Sequence, residues 1–62
     1  MMQWNIHRDG YWYAFGKTGQ RYEVGEIGRG KMLLNICGVR MLEGDTTDVC
    51  KQWAEEHNDE QA

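Results

Sequence analysis

An α+β domain, in which an antiparallel β-meander of four to five strands carries one C-terminal helix packed across one face, is the fold class that the sequence predicts. Three observations predict it. Two-residue turn signals, Asp9-Gly10 and Cys37-Gly38, sit between short runs rich in apolar and aromatic residues. Within those runs apolar and polar positions alternate, as on a half-buried strand. Near the C-terminus Val49, Cys50, Trp53, Ala54 and His57 instead recur at helical spacing and form one stripe.

The first strand is read over Trp4 to Arg8 and its partner over Tyr11 to Phe15. With Asp9-Gly10 as a type I′ turn, Arg8 faces Tyr11, Ile6 faces Tyr13 and Trp4 faces Phe15. One side of that hairpin then shows Trp4, Ile6, Tyr13 and Phe15, and the other Asn5, His7, Trp12 and Ala14. A turn-rich loop over 16–20 leads to a third strand, Arg21 to Ile27, with Tyr22 and Val24 on one face and Arg21 and Glu23 on the other. Gly25 is a candidate bulge site within it.

Gly28-Arg29-Gly30 marks the next turn. The fourth strand, Lys31 to Ile36, returns through Cys37-Gly38 to a fifth, Val39 to Glu43. A two-residue loop pairs Ile36 with Val39, Asn35 with Arg40, Leu34 with Met41 and Leu33 with Leu42. A longer loop with Gly38 left-handed would slip that pairing by one residue and exchange its faces. Asp45-Thr46-Thr47-Asp48 opens the helix, with Asp45 or Thr46 as N-cap and Asp48 complementing the positive helix end. Trp53 is the expected central plug, over Trp4, Ile6, Tyr13, Phe15, Tyr22, Leu34 and Ile36. The single domain is placed at 1–58, with residues 59–62 as a frayed acidic tail.

Sixty-two residues with two cysteines exclude a disulfide-dense secreted scaffold and put the core on aromatic and branched side chains. No apolar run approaches the ~20 residues of a membrane span. Met1-Met2-Gln3-Trp4-Asn5 lacks the basic and apolar regions of a signal peptide, so a cytoplasmic, reduced protein is expected. The net charge of −3 is unevenly spread: residues 1–44 hold six Lys/Arg against four Asp/Glu, and residues 45–62 one Lys against six Asp/Glu. That field is weak for nucleic acid, and the acidic end reads as a solvated helix face.

No catalytic residue and no cofactor or metal ligand is assigned. Gly16-Lys17-Thr18 lacks the first glycine of a phosphate loop, since that position is Tyr11, and no helix follows. His7, Cys37, Cys50 and His57 lack zinc-site spacing, and Cys50 with His57 lacks a third orienting group for nucleophilic catalysis. The cysteines read as unpaired core residues. Met2, Met32 and Met41 read as core fillers behind the starting Met1.

The pattern resembles small proteins encoded by phages, prophages and other mobile elements. Their signature is an early Trp, a Tyr-rich hairpin, a Gly-closed second hairpin and D-T-x-x-x-A-K-x-x-A-E opening the last helix. Asp45, Thr46, Lys51, Ala54 and Glu55 match, while Cys50 replaces the usual alanine. The resemblance implies an accessory protein and transfers no catalytic residue. The order of strands then helix is also similar to the arm-type DNA-binding domains of tyrosine recombinases, whose sheets are more basic.

Since one helix covers one side, the other side is expected to carry His7, Trp12, Arg21, Leu33, Arg40 and Leu42. Trp12 is the expected anchor, with Leu33 and Leu42 around it and Arg21 and Arg40 at the rim. The function expected is protein binding or self-association through this face. A sheet-face nucleic-acid binder, with Arg21, Arg40 and Lys31 on phosphates, stands second.

Overall fold

Each hairpin loop decides which side chains meet the helix, because a one-residue change of register exchanges the two faces of a strand. A computed structural model describes residues 2–61, and Met1 and Ala62 lie outside the described residues. The strands are β1 (Asn5–Ile6), β2 (Trp12–Phe15), β3 (Arg21–Glu26), β4 (Met32–Ile36) and β5 (Val39–Gly44), followed by the helix α1 (Thr47–Asp59). They form one five-stranded antiparallel meander in sequence order, with α1 packed on one face, the α+β architecture expected from the sequence.

The first loop is longer than its Asp-Gly signal suggests. His7 N–H donates to the Tyr11 carbonyl at 2.7 Å, and Gly10 N–H to the His7 carbonyl at 2.8 Å. The loop is therefore Arg8-Asp9-Gly10. Gly10 lies at φ +95°, the left-handed position that follows a type I turn in a three-residue hairpin loop. Asp9 N–H donates to His7 Nδ1 at 3.1 Å, holding the turn from inside. One extra loop residue sets Ile6 opposite Trp12 and Asn5 opposite Tyr13. Trp12 and Ala14 thus point to the helix, and Tyr13 and Phe15 point away, the reverse of the expected assignment.

The loop over 16–20 repeats the device, with Gly19 N–H donating to the Gly16 carbonyl at 3.1 Å and Gly19 at φ +82°. Gly25 makes no bulge and sits in regular register opposite Leu33. Cys37-Gly38 is a two-residue loop, with Cys37 itself at φ +51°, and it pairs Ile36 with Val39 and Asn35 with Arg40 as expected. Beyond them a bulge takes up Met41, so Leu34 meets Leu42 and Leu33 meets Glu43. Leu42 therefore also turns to the helix side, and Met41 is exposed instead of filling the core.

Tyr22, Val24, Leu34, Ala14, Cys50 and Ala54 are fully buried between sheet and helix, with Met2 closing one end. The helix seam is Cys50, Ala54 and Asn58, one residue per turn, and Trp53 is not the central plug. The seam must be small because the helix lies close: a Cβ on Gly44 would come 2.9 Å from Cys50 Sγ. Trp53 packs on the flank, stacked on His57 at 5.5 Å between ring centres.

Thr46 is the N-cap, its Oγ1 accepting the Val49 N–H at 3.2 Å. Asp45 instead pairs with Lys31, which holds the Asp45 carboxyl below its ordinary range and the Lys31 ammonium above its own. At the other end buried Asn58 accepts the Lys17 N–H at 2.8 Å. This tether keeps the helix wound through Asp59, and the Glu60 N–H bonds back to the Glu56 and His57 carbonyls at 3.2 Å. The helix thus ends at Asp59 with Glu60 as its C-cap, and Gln61 N–H donates to the Asn58 carbonyl at 3.1 Å.

Candidate docking face

Opposite α1 the sheet presents a bare face whose main feature is an aromatic row along β2. His7 and Tyr11, paired across the first loop, stack at 4.5 Å. Tyr11 and Tyr13 follow at 6.5 Å, and Tyr13 and Phe15 at 6.2 Å in an edge-on contact. Phe15 is 56% exposed, a large apolar ring at the end of the row.

Arg21, opposite Phe15 on β3, lies along this row. Its guanidinium is 4.8 Å from the Tyr13 ring centre and 5.8 Å from that of Phe15. It donates to the Tyr11 hydroxyl at 3.0 Å and to Glu23 Oε2 at 2.9 Å. Arg40 is matched in the same way by Glu43 at 3.4 Å. Both arginines of the face are therefore neutralised by glutamates on the same face.

At the Tyr11 end the face dips. A depression of about 250 Å³ opens where Gly25 carries no side chain, walled by Tyr11, Ile27, Leu33 and Asn35 together with Glu23 and Glu26. A Cβ on Gly25 would meet Tyr11 Cβ at 3.2 Å, so the dip is the counterpart of the tyrosine lying across β3.

Of the residues expected on this face, His7, Arg21, Leu33 and Arg40 are there, and the register brings them together with Tyr13, Phe15 and Glu23. Trp12 and Leu42 are not. Trp12 is half-buried on the helix side, with Lys51 Nζ 3.8 Å above its ring and 5.6 Å from the Trp4 ring. Trp4 Nε1 donates to Glu55 Oε2 at 3.1 Å, so the two indoles clamp the helix to the β1–β2 end of the sheet. Tyr13 and Phe15 were concealed by the loop-length assignment. The signal that identifies them is the shared spacing of His7 to Gly10 and Gly16 to Gly19, a glycine at the left-handed end of a three-residue loop.

Elsewhere the polar chemistry is internal. The buried Tyr22 hydroxyl bonds to His57 Nδ1 at 2.8 Å and accepts from Gln20 Nε2 at 3.0 Å. Both cysteines are free, Cys37 exposed and Cys50 buried. Burial pushes the Cys50 thiol up, partly offset by a hydrogen bond from the Gly44 backbone. Among the described residues no group of three His, Cys, Asp or Glu side chains is placed to hold a metal ion, and no helix is long and apolar enough to cross a membrane.

No family model matches the chain, and no curated protein or solved structure matches it.

Proposed function

We propose that this chain is a small accessory protein, of the kind carried by phages and other mobile elements, that acts by binding another polypeptide through the helix-free sheet face and not by catalysis. The observation that carries the reading is the pairing of a half-buried aromatic row, ending in exposed Phe15, with arginines already neutralised on the same face. Tyr13, Phe15 and Leu33 supply apolar contact, while Arg21 and Arg40 are held by Glu23 and Glu43. A phosphate backbone requires uncompensated positive charge, whereas a polypeptide partner is served by an apolar centre with a balanced polar rim. Nucleic-acid binding, with Arg21 and Arg40 on phosphates and the aromatic rings on bases, is the reading this charge balance disfavours.

The test is a photo-crosslinking residue in place of Phe15, with a second at exposed Gln52 on the helix as control, irradiated in cell extract. The expected result is a protein adduct from position 15, absent from position 52, that persists from about 50 mM to about 500 mM salt. A nucleic-acid adduct that fades steeply with salt would replace this reading with the other. Equal adducts from both positions would contradict it.

A further inference from the structure

We infer that the partner on this face is a second copy of the chain, packed sheet on sheet about a two-fold axis lying between the sheets and across the strands. The inference rests on the docking-face reading above. A two-fold interface sets one patch against itself, so the patch must be complementary to itself in both charge and shape.

Charge meets that condition on this face and not on the other. Arg21 and Arg40 are balanced by Glu23 and Glu43, and Glu26 adds one carboxylate beside the depression, so the sheet face is close to neutral. Residues 45–62, which form the helix side, carry six Asp/Glu and one Lys, so two copies meeting there would repel.

Shape meets it through a knob and a hole at opposite ends of one strand. Phe15 stands out at the end of β2 where β3 begins, since it pairs with Arg21. The depression lies at the opposite end, beside Tyr11, Gly25 and Leu33. An axis across the strands reverses strand direction, and so lays each Phe15 over the depression of the other copy. The exchange is reciprocal, as an isologous contact requires. A cavity of about 150 Å³ holds a benzene ring, so an open depression of about 250 Å³ has room for the Phe15 phenyl group. It is below the ~300–1,000 Å³ of small-molecule sites, which fits a side chain better than a cofactor.

The same rotation carries Arg21, at the Phe15 end, toward the half of the partner face that holds Leu33 and Glu43. Positive and negative ends therefore exchange together with knob and hole. Five strands ~4.8 Å apart and about five residues long give a footprint of roughly 400 Å² per copy. That is at the low end of interface sizes, so association is weak, with half-association between about 10 μM and 1 mM.

The experiment is sedimentation equilibrium over that range with the full chain, together with amide NMR spectra on dilution. The expected mass rises from 7.3 kDa toward twice that value, and the shifting amides cluster on β2, β3 and β4 around Phe15 and Gly25. Arg21→Glu and Glu43→Arg variants each place like charges at both ends and should weaken self-association at least about tenfold. Mixed in equal amounts they restore opposite charges at both ends and should associate as well as the parent chain. A pure monomer at about 1 mM, dilution shifts confined to α1 or the β5 edge, or a mixture no stronger than its components would overturn the inference. A monomer that still gives a protein adduct from position 15 would sink self-association and leave the docking face standing.

Discussion

Trp12 and Phe15, three positions apart on one strand, have opposite jobs. Trp12 is packed beneath Lys51 and against the core, so truncating it removes buried ring area and a cation–π contact. Trp12→Ala should cost about 2–4 kcal/mol of stability in a urea melt, a large share for a chain this small. Phe15→Ala should change it by no more than about 0.5–1 kcal/mol, because that ring is mainly solvent-facing, with Tyr13 edge-on to it and the Arg21 guanidinium over it. Equal losses, or the reverse order, would show that the inward and outward sides of β2 have been exchanged. The sequence could not separate the two residues by composition. Tyr13 and Phe15 are as apolar as Trp12 and Ala14, so either pair suits a core. Ala14 is fully buried because it pairs with Tyr22 on the helix-side face of the sheet, a placement set by the register.

At the scale of elements, the strands, the order of the meander and the capped helix were legible because each is written in local periodicity and turn chemistry. Facing was not. Arg8 in the first loop and Met41 in the last hairpin each add one residue, which leaves the alternating pattern intact yet reverses every side chain beyond it. Four of the six expected face residues survive this, because Arg21 and Leu33 lie on central strands clear of both insertions, Arg40 precedes the bulge, and His7 pairs across the longer loop with Tyr11. The loop account makes a direct prediction. Deleting Arg8 leaves Asp9-Gly10 as a two-residue loop that still closes the His7–Tyr11 pair, so the faces should be unchanged and stability altered by less than about 1 kcal/mol. Loss of folding, or a Tyr13 ring that moves to the helix side, would contradict it. The helix end follows the same logic from the opposite direction. Residues 59–62 read as a frayed acidic tail, and the contacts that fix the turn before it are long-range: Asn58 Oδ1 accepts from the Lys17 backbone and from Gln20 Nε2.

For the whole molecule, one helix and five strands make a two-layer domain with only one interior. Its surface of 4,248 Å² is close to the roughly 4,200 Å² of a folded monomer of 7.3 kDa. The exposure of Phe15 at the end of the aromatic row is therefore not a sign of loose packing but of where that residue is placed. The domain is polarised in charge, acidic on the helix side and nearly balanced on the sheet side. Exposed apolar side chains occur on both, Ile6 and Val39 beside the helix and Phe15 opposite it. With Trp4 and Trp12 clamping the helix, Tyr13, Phe15 and Leu33 lie on the helix-free side, the face proposed above for docking. The placement of these side chains relative to α1 is the premise of both the docking face and the dimer, and a nuclear Overhauser spectrum of the labelled protein at dilute concentration reads it most directly. Cross-peaks should join the Trp12 indole to the Lys51 side chain, with none from the Phe15 ring to any proton of α1. Cross-peaks from Tyr13 or Phe15 to Trp53, with Trp12 free of the helix, would contradict it.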